Sequence, residues 1–250
     1  MAKPLAVVIL AAGKGTRMNN PDLPKVMHEV QGKPMIQHVV ELANTLAPSH
    51  IVVVVGWQKQ SVINHFEKLP FPVMCVEQSP QLGTGHAVMQ SESTLAGFQG
   101  DVLVLSGDVP LLTASTVTSL IQHHRSARAV ATVLTANLDD PTGYGRILRG
   151  GDGNVYSIVE QRDATEDERK VREVNSGIYL FDAPHLFDGL KHITTSNAQA
   201  EYYLTDVFSY FWKSKFRVAA LAAPDFREIM GINTMEQLEE ARSMMRMSRG

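Results

Sequence analysis

Five short runs of apolar residues recur along the first half of the chain, and each is about as long as a β-strand. They occupy residues 5–11, 51–55, 73–76, 101–105 and 129–135. Runs that are apolar at consecutive positions are typical of strands buried on both faces of a parallel sheet. The pattern therefore predicts an α/β fold with parallel strands at its centre.

Segments with a helical spacing of apolar residues lie between these runs. The clearest covers residues 34–46, where one face carries Met35, Ile36, Val39, Val40, Ala43 and Leu46. Shorter segments at 64–69, 84–95 and 113–124 are expected to fill the later connections between strands. Alternating strands and helices predict a doubly wound open sheet, in which ligands bind at the carboxyl ends of the strands.

The second half of the chain has a different pattern. Residues 155–159 and 177–181 are predicted strands, and the charged stretch at 160–172 is predicted to be a surface excursion or a short helix. Residues 205–212 and 235–247 are predicted helices. No repeat or long linker interrupts the sequence, so we expect one domain over residues 1–250, whose second half completes the ligand pocket.

The loop after the first predicted strand has the chemistry of an anion-binding turn. Its residues are Leu10, Ala11, Ala12, Gly13, Lys14 and Gly15, followed by Arg17 and Lys25. Gly13 and Gly15 can adopt positive φ, and successive N–H groups in such a turn form a concave site for anions. The glycine spacing is not that of the GxxxxGK[ST] P-loop. We therefore predict a phosphate-binding loop of another type.

Composition and charge argue against several classes of function. The formal net charge of −3 gives no general affinity for polyanions, so neither nucleic acid nor a membrane is an expected partner. No apolar stretch approaches the ~20 residues that span a bilayer. The single cysteine, Cys75, is expected to be a small buried residue. The lack of a membrane-spanning stretch and the presence of only one cysteine both favour a cytoplasmic protein. The histidines lack H-E-x-x-H spacing, so zinc is not expected.

Several blocks in order along nearly the whole chain resemble one enzyme family. They are LAAGKGTRM and LPKV in residues 10–26, QLGTGHA at 81–87, GDVPL at 107–111, DDPTGYGRI at 139–147, IVE at 158–160, EVNSG at 173–177, EYYLTD at 201–206 and GIN at 231–233. These blocks resemble the sugar-phosphate nucleotidyltransferases, in particular the uridyltransferase domain of bacterial N-acetylglucosamine-1-phosphate uridyltransferase. The resemblance implies a Rossmann-like, mostly parallel mixed sheet of the nucleotide-diphospho-sugar transferase type. It also implies synthesis of UDP-N-acetylglucosamine and pyrophosphate from UTP and N-acetylglucosamine 1-phosphate.

The resemblance assigns nucleotide and metal ligands to loops that follow predicted strands. Gln78, with Gly83 and Thr84, would bind the uracil base, because an amide offers a donor and an acceptor to its imide edge. Asp108 and Asn233 would bind Mg²⁺, which prefers oxygen ligands and retains several waters. The nucleotide-binding half would cover about residues 1–135.

The resemblance also implies a sugar pocket over about residues 136–235, before a C-terminal helix at 236–250. Its residues would be Tyr144, Gly145, Glu160, Asn175, Glu201, Tyr203 and Thr205. Arg17 and Lys25 would be catalytic, through charge stabilisation at the α-phosphorus. The attacking phosphate has a second pKa of about 6 and is already ionised, so one in-line displacement without a general base is expected.

Two features leave alternatives open. The resembled enzymes are bifunctional, and no repeats of an acetyltransferase half occur here, so acetyl transfer is not predicted and the oligomeric state stays open. Ser106 and Ser176 stand where the family often has an aromatic residue and a threonine, which bears on the choice of sugar. The alternatives are a nucleotidyltransferase for another base or for another sugar, such as glucose 1-phosphate, a Mg-dependent glycosyltransferase, and an inactive nucleotide-binding regulator.

Overall fold

The computed structural model describes residues 3–18, 20, 22–151 and 153–247. In these ranges the chain forms the strands β1 (Leu5–Ala11), β2 (Glu29–Val30), β3 (Lys33–Pro34), β4 (His50–Val55), β5 (Met74–Glu77), β6 (Asp101–Ser106), β7 (Ala131–Asn137), β8 (Arg146–Arg149), β9 (Val155–Val159), β10 (Glu173–Asp182) and β11 (Val218–Ala222). The α-helices of the same ranges are α1 (Met35–Thr45), α2 (Lys59–Phe66), α3 (Thr84–Met89), α4 (Ala114–Ala127), α5 (Glu166–Arg169), α6 (Ala183–Gly189), α7 (Asp206–Lys213) and α8 (Met235–Met247).

The central sheet is mixed and mostly parallel. Its strands follow the order β11, β7, β10, β6, β1, β4, β5, and the hairpin β8–β9 branches from β10. β1 is parallel to β4 and β6, β4 is parallel to β5, and β7 is parallel to β11. β10 alone on this path runs antiparallel, between β6 and β7. The predicted fold class is therefore confirmed.

Both faces of the sheet are covered, which explains the uninterrupted apolar run of β1. Side chains alternate between the faces along a strand. Val7 and Ile9 belong to one core, together with buried residues of α1, α2 and α4. Ala6 and Val8 belong to the opposite core, with buried residues of α3, α6 and α7.

The long strand β10 brings the second half of the chain to the carboxyl end of β6. Tyr179 pairs with Val104 in antiparallel register, so Asn175 lies beyond the end of β6. The pairing with β7 shifts between Asn175 and Tyr179, and Gly177 within this shift has a φ of +77°. This irregularity turns the start of β10 towards the loops that follow β1 and β6.

A third, smaller core fixes α8 against the segment after β1. Its buried members are Met18, Val30, Met35, Ile232, Leu238 and Ala241. Arg242 also donates from Nε to the carbonyl oxygen of Glu29 at 2.9 Å. Asn233, just before α8, is thereby held beside the loop that carries Arg17.

Two predicted helices have different limits in the structure. The helix predicted at 64–69 is instead α2, because its buried positions, Val62 and Phe66, lie one turn apart. The helix predicted at 84–95 ends as α3 at Met89. Beyond it the hydroxyl of Ser91 donates to the carbonyl of Val88 at 2.7 Å, which competes with continued helical bonding.

Other features were predicted incompletely. β2, β3, β8, β11 and α6 were not predicted as elements, and Cys75 is half-buried rather than buried. Cys75 lies on β5, the strand at one end of the sheet order, and its partial burial raises the pKa of the thiol to about 11. The charged stretch does contain a short helix, α5, with a capping box at Thr165. In the described ranges, no helix is both long enough and apolar enough to cross a membrane.

Candidate active site

The loop after β1 passes directly over Lys25. Gly15 has a φ of +62°, and a Cβ at this position would collide with the side chain of Lys25. Any other residue at position 15 would be strained and would displace Lys25. Glycine here lets the aliphatic stem of Lys25 pack on the loop while its ammonium reaches the edge of the sheet.

The first cavity, of about 290 Å³, opens at the carboxyl ends of β1, β5 and β6. Its lining includes Leu10, Ala11, Ala12, Gly13, Lys25, Gln78, Gln81, Gly83, Thr84, Ser106, Asp108 and Glu201. The structure thus brings together most of the residues that the sequence assigned to the nucleotide. Gln81 was not among them, although it donates from Nε2 to the carbonyl of Ala12 at 2.6 Å.

One end of the first cavity is formed by the start of α3. The Nε2 of Gln78 donates to the carbonyl oxygen of Gly83 at 2.9 Å. Gly83 has a φ of +105°, and a Cβ there would lie 2.6 Å from the carbonyl oxygen of Tyr202. The Gly85 N–H donates to that same carbonyl at 2.7 Å. Glycines at this turn therefore allow two backbone segments to approach and fix the position of Gln78.

Lys25, Asp108, Asn233 and Arg17 converge at the far end of the first cavity. The ammonium of Lys25 forms an ion pair with Asp108 and donates to Oδ1 of Asn233 at 2.9 Å. Arg17 donates from Nη2 to the same Asn233 oxygen at 2.9 Å. Backbone bonding from Ile232 to Asp108, at 2.9 Å, holds the two loops together. Two cationic side chains thus surround one carboxylate and one amide oxygen.

The second cavity, of about 360 Å³, lies on the other side of Asp108. Its lining includes Arg17, Ser106, Asp108, Thr142, Gly143, Tyr144, Gly145, Glu160, Asn175, Ser176, Gly177, Gly231, Asn233 and Gln237. Ser106 and Asp108 line both cavities. The sequence marked Ser106 only as a departure from the family pattern; its position as the last residue of β6 is the signal that places it at this junction.

Glu160 and Asn175 are held in the second cavity by their neighbours. Asn175 donates from Nδ2 to the hydroxyl of Tyr179 at 2.8 Å, and its Oδ1 accepts from the N–H of Gly177 at 3.1 Å. Glu160 accepts from the hydroxyl of Thr205 at 3.2 Å. A Cβ at Gly145 would lie 3.4 Å from the Glu160 carboxylate, so glycine keeps access to both groups open.

Burial gives Glu160 an unusual electrostatic position. Burial is the main cause that raises the pKa of its carboxyl above the ordinary value, since ionisation in a poorly solvated site is unfavourable. The bond from Thr205 opposes this change, and the nearby carboxylates of Asp163 and Asp206 reinforce it. Glu160 therefore sits in the cavity as a strong acceptor that lacks a cationic partner among the described residues.

Four predicted site residues line neither cavity in the described part of the chain: Lys14, Gly15, Tyr203 and Thr205. Lys14 is exposed on the loop after β1. Tyr203 is buried, and its hydroxyl contacts Gln199 and Asp163 at 2.9 and 3.3 Å. Thr205 donates to the Glu160 carboxylate, and Gly15 packs against the side chain of Lys25. Their direct binding roles stay predictions.

The described residues contain no group of three or more His, Cys, Asp or Glu side chains that could hold a metal ion. At this site the carboxylate of Asp108 and the amide oxygen of Asn233 form a pair of oxygens around the Lys25 ammonium. A pair is sufficient for a cation that takes its other ligands from water and phosphate.

Comparison with known proteins places the chain in a family. Residues 7–174 match the model of the MobA-like NTP transferase domain. The chain is 48% identical over 238 residues to the bifunctional protein GlmU of Streptococcus equi subsp. zooepidemicus, covering 95% of this chain and 51% of that protein. It is 49% identical over 240 residues to the bifunctional protein GlmU of Streptococcus uberis, covering 96% and 51%. The chain thus spans about half the length of the curated relatives it matches.

Solved structures with the same fold are more distant in sequence. A UDP-glucose pyrophosphorylase complexed with UDP-glucose superposes with a TM-score of 0.80 at 19% identity, covering 99% of this chain and 100% of that one. A putative glucose-1-phosphate thymidylyltransferase from Bacillus anthracis, in complex with a sucrose, gives a TM-score of 0.75 at 20% identity, covering 97% and 95%. These two matches show the fold, and the relatives confirm the resemblance found in the sequence blocks. The chain belongs to the MobA-like NTP transferase domain family.

Proposed function

We propose that this chain is a nucleotidyltransferase that makes UDP-N-acetylglucosamine and pyrophosphate from UTP and N-acetylglucosamine 1-phosphate. The observation that carries the proposal is the junction of the two cavities at Ser106 and Asp108, beside Lys25 and Arg17. Two anionic substrates that react with each other need adjacent sites and positive charge at their boundary. The resemblance to the N-acetylglucosamine-1-phosphate uridyltransferases supplies the base and the sugar.

The pair Asp108 and Asn233 fits a divalent cation. Because the Lys25 ammonium contacts oxygens of both residues, these oxygens already converge on one cation. A carboxylate and an amide oxygen are hard ligands, as Mg²⁺ requires. We therefore assign Mg²⁺ to these two residues, where it would neutralise phosphate charge when bound.

The protein's own residues align the reaction and stabilise charge. A phosphate oxygen of the sugar phosphate, ionised near neutral pH, forms the new bond to the α-phosphorus of UTP. The bond from the α-phosphorus to the bridging oxygen breaks, and pyrophosphate leaves with the electron pair. Lys25 and Arg17 lie where they can offset the charge that builds up, so neither a nucleophilic side chain nor a general base is needed.

The second cavity is the proposed sugar site. The Glu160 carboxylate would accept hydrogen bonds from sugar hydroxyls, and Asn175 and the Gly145 backbone would bind the sugar and its phosphate. Tyr144 would bound this site, and Thr205 would support its wall through Glu160. Glu201, which the resemblance assigned to the sugar, lines the first cavity instead, and Tyr203 lines neither. The choice of an acetamido sugar comes from the family resemblance. Substitutions at Ser106 and Ser176, where the chain departs from the family pattern, would test this choice.

The experiment is pyrophosphate release by the purified chain with UTP and Mg²⁺, comparing N-acetylglucosamine 1-phosphate with glucose 1-phosphate. We expect fast release with the acetamido sugar and much slower release with glucose 1-phosphate. A preference for glucose 1-phosphate would keep the reaction type and overturn the substrate. No release with either sugar, or with ATP, CTP, GTP or dTTP in place of UTP, would overturn the enzyme assignment.

A further inference from the structure

His86 lies beside the proposed base-binding glutamine and has no part in the function proposed above. It is on α3, and its Nδ1 lies 3.2 Å from the Nε2 of Gln78. Its ring stacks with that of Tyr202, with centroids 6.3 Å apart. The Gln78 amide nitrogen therefore faces two acceptors, the Gly83 carbonyl and the imidazole.

The Gly83 carbonyl fixes which way the Gln78 amide points. A carbonyl oxygen only accepts hydrogen bonds, so the Gln78 atom that faces it has to be the nitrogen. Gln78 is only 5% exposed, and turning its amide would bury one oxygen against another. The Gln78 oxygen is thus directed away from Gly83 and His86, and it forms no hydrogen bond within the described part of the chain.

This orientation determines where the hydrogen of the His86 ring lies. Nδ1 has to accept from Gln78, so a neutral ring carries its hydrogen on Nε2, where Gln90 lies 3.2 Å away. Gln90 also donates from Nε2 to the backbone carbonyl of His86 at 2.8 Å, and turning its amide would break this bond. Gln90 is partly exposed, so water can replace the lost bond, whereas the amide of Gln78 is buried and has no such replacement. A charged ring would direct N–H groups at both amides, and burial lowers the pKa of His86, which favours the neutral form.

We propose that His86 is a positioning residue for base selection, which together with the Gly83 carbonyl keeps the oxygen of Gln78 as the acceptor presented to the first cavity. The inference rests on the proposed use of UTP. An acceptor at this position pairs with the N3–H of uracil and opposes the unprotonated N3 of cytosine. Thymine carries the same N3–H, so Gln78 and His86 together separate uracil and thymine from cytosine but not from each other.

The test is steady-state kinetics with UTP and with CTP for the wild type and three variants. His86→Asn places an amide oxygen near the position of Nδ1, His86→Gln carries its polar atoms one bond further out, and His86→Leu has no acceptor. We expect His86→Leu and His86→Gln to raise KM for UTP about tenfold, because the Gln78 amide loses a buried partner. The preference for UTP over CTP in kcat/KM falls by a similar factor, and kcat changes little.

Two internal controls separate positioning from a general structural effect. His86→Asn keeps KM for UTP and the UTP preference near those of the wild type, and KM for the sugar phosphate is unchanged in every variant. An unchanged UTP preference in folded His86→Leu and His86→Gln overturns the inference and leaves the proposed function intact. If His86→Leu does not fold, equal UTP preference in the Asn and Gln variants overturns it. A wild type that does not use UTP overturns both.

Discussion

The two cavities that meet at Asp108 are built in different ways. The first is formed by the loop after β1 and the start of α3, where glycines and small residues bring backbone close to the space for a ligand. The second is formed by the loop before β8, the residue after β9 and the first half of β10, and its chemistry depends on the side chains of Glu160 and Asn175. The first cavity therefore depends on close approach of the backbone as well as on the Gln78 side chain, and the second depends mainly on oriented side chains.

This difference indicates which changes each cavity tolerates. A backbone-lined site fails where a Cβ is added at a strained glycine, as at Gly15 or Gly83. A side-chain-lined site can be altered one group at a time, with graded effects on one substrate. Substitutions at the junction should damage both substrates together, whereas substitutions in the second cavity should affect the sugar phosphate alone.

The largest effect is expected for Asp108→Ala, because Asp108 belongs to both cavities and to the proposed metal pair. We predict a loss in kcat/KM of about 10³-fold for both substrates, as for removal of a major charge-stabilising group. The measurement is pyrophosphate release at ordinary Mg²⁺ concentration. Asp167→Ala, which changes an exposed carboxylate on α5, is the control and should leave activity unchanged. Full activity in Asp108→Ala would refute the metal assignment and the shared junction.

Lys25→Ala should have the next largest effect. Its ammonium lies between Asp108 and Asn233, so its loss removes charge stabilisation from the reacting phosphates. We predict a decrease in kcat of about 10²-fold, with smaller changes in either KM. Lys33→Ala, which breaks only a pair with Glu41, is the matched control. An unchanged kcat would remove Lys25 from the catalytic residues.

Glu160→Gln should affect the substrate of the second cavity without affecting the substrate of the first. The amide has the size of the carboxyl group but is a weaker acceptor, so we predict a rise of about tenfold in KM for the sugar phosphate. KM for UTP should stay within about twofold, because Glu160 does not line the first cavity. Glu166→Gln, on the exposed first turn of α5, provides the control. Equal increases in both KM values would contradict the separation between the cavities.

Glu160→Gln should weaken binding of the sugar phosphate but slightly increase the thermal stability of the protein. Because the pKa of Glu160 is raised in the folded protein above the ordinary 4.5, folding favours its protonated form. Stability from this group is present in acid and is lost as pH rises from 4.5 through the raised value. Glu160→Gln should therefore melt at a higher temperature than the wild type at pH 7.5.

Thermal denaturation of both proteins across the pH range checks this sign. The advantage of Glu160→Gln should shrink as the buffer becomes acidic and Glu160 of the wild type binds its proton. A variant that melts below the wild type at pH 7.5, with the gap closing in acid, would show that ionised Glu160 stabilises the fold instead.

The two cavities also differ in how far the sequence predicts them. The loop at residues 10–15 is one contiguous segment, so its glycines and the strand before it indicate an anion site directly. Gln78, Gly83 and Asp108 follow predicted strands, and the rule for doubly wound sheets locates them. Asn233 is 208 positions from Lys25, which it contacts, and only the family resemblance identified it.

The second cavity depends on details that no local pattern contains. The register shift in β10 that places Asn175 comes from pairing with β7, and the short strand β8 was not predicted. Thr205 supports Glu160 through a contact between side chains 45 positions apart. Tyr203 was assigned to the sugar from the family blocks, yet it is buried against Asp163 and Gln199. Such contacts follow from tertiary packing, which local periodicity does not encode.

The central claim is that a substrate in one cavity reacts directly with a substrate in the other. The most direct test is the stereochemical course at the α-phosphorus, followed with UTP that is chirally labelled at this atom. A single in-line displacement across the junction predicts inversion in the product. Retention would require two displacements through a covalent enzyme intermediate and would contradict the account.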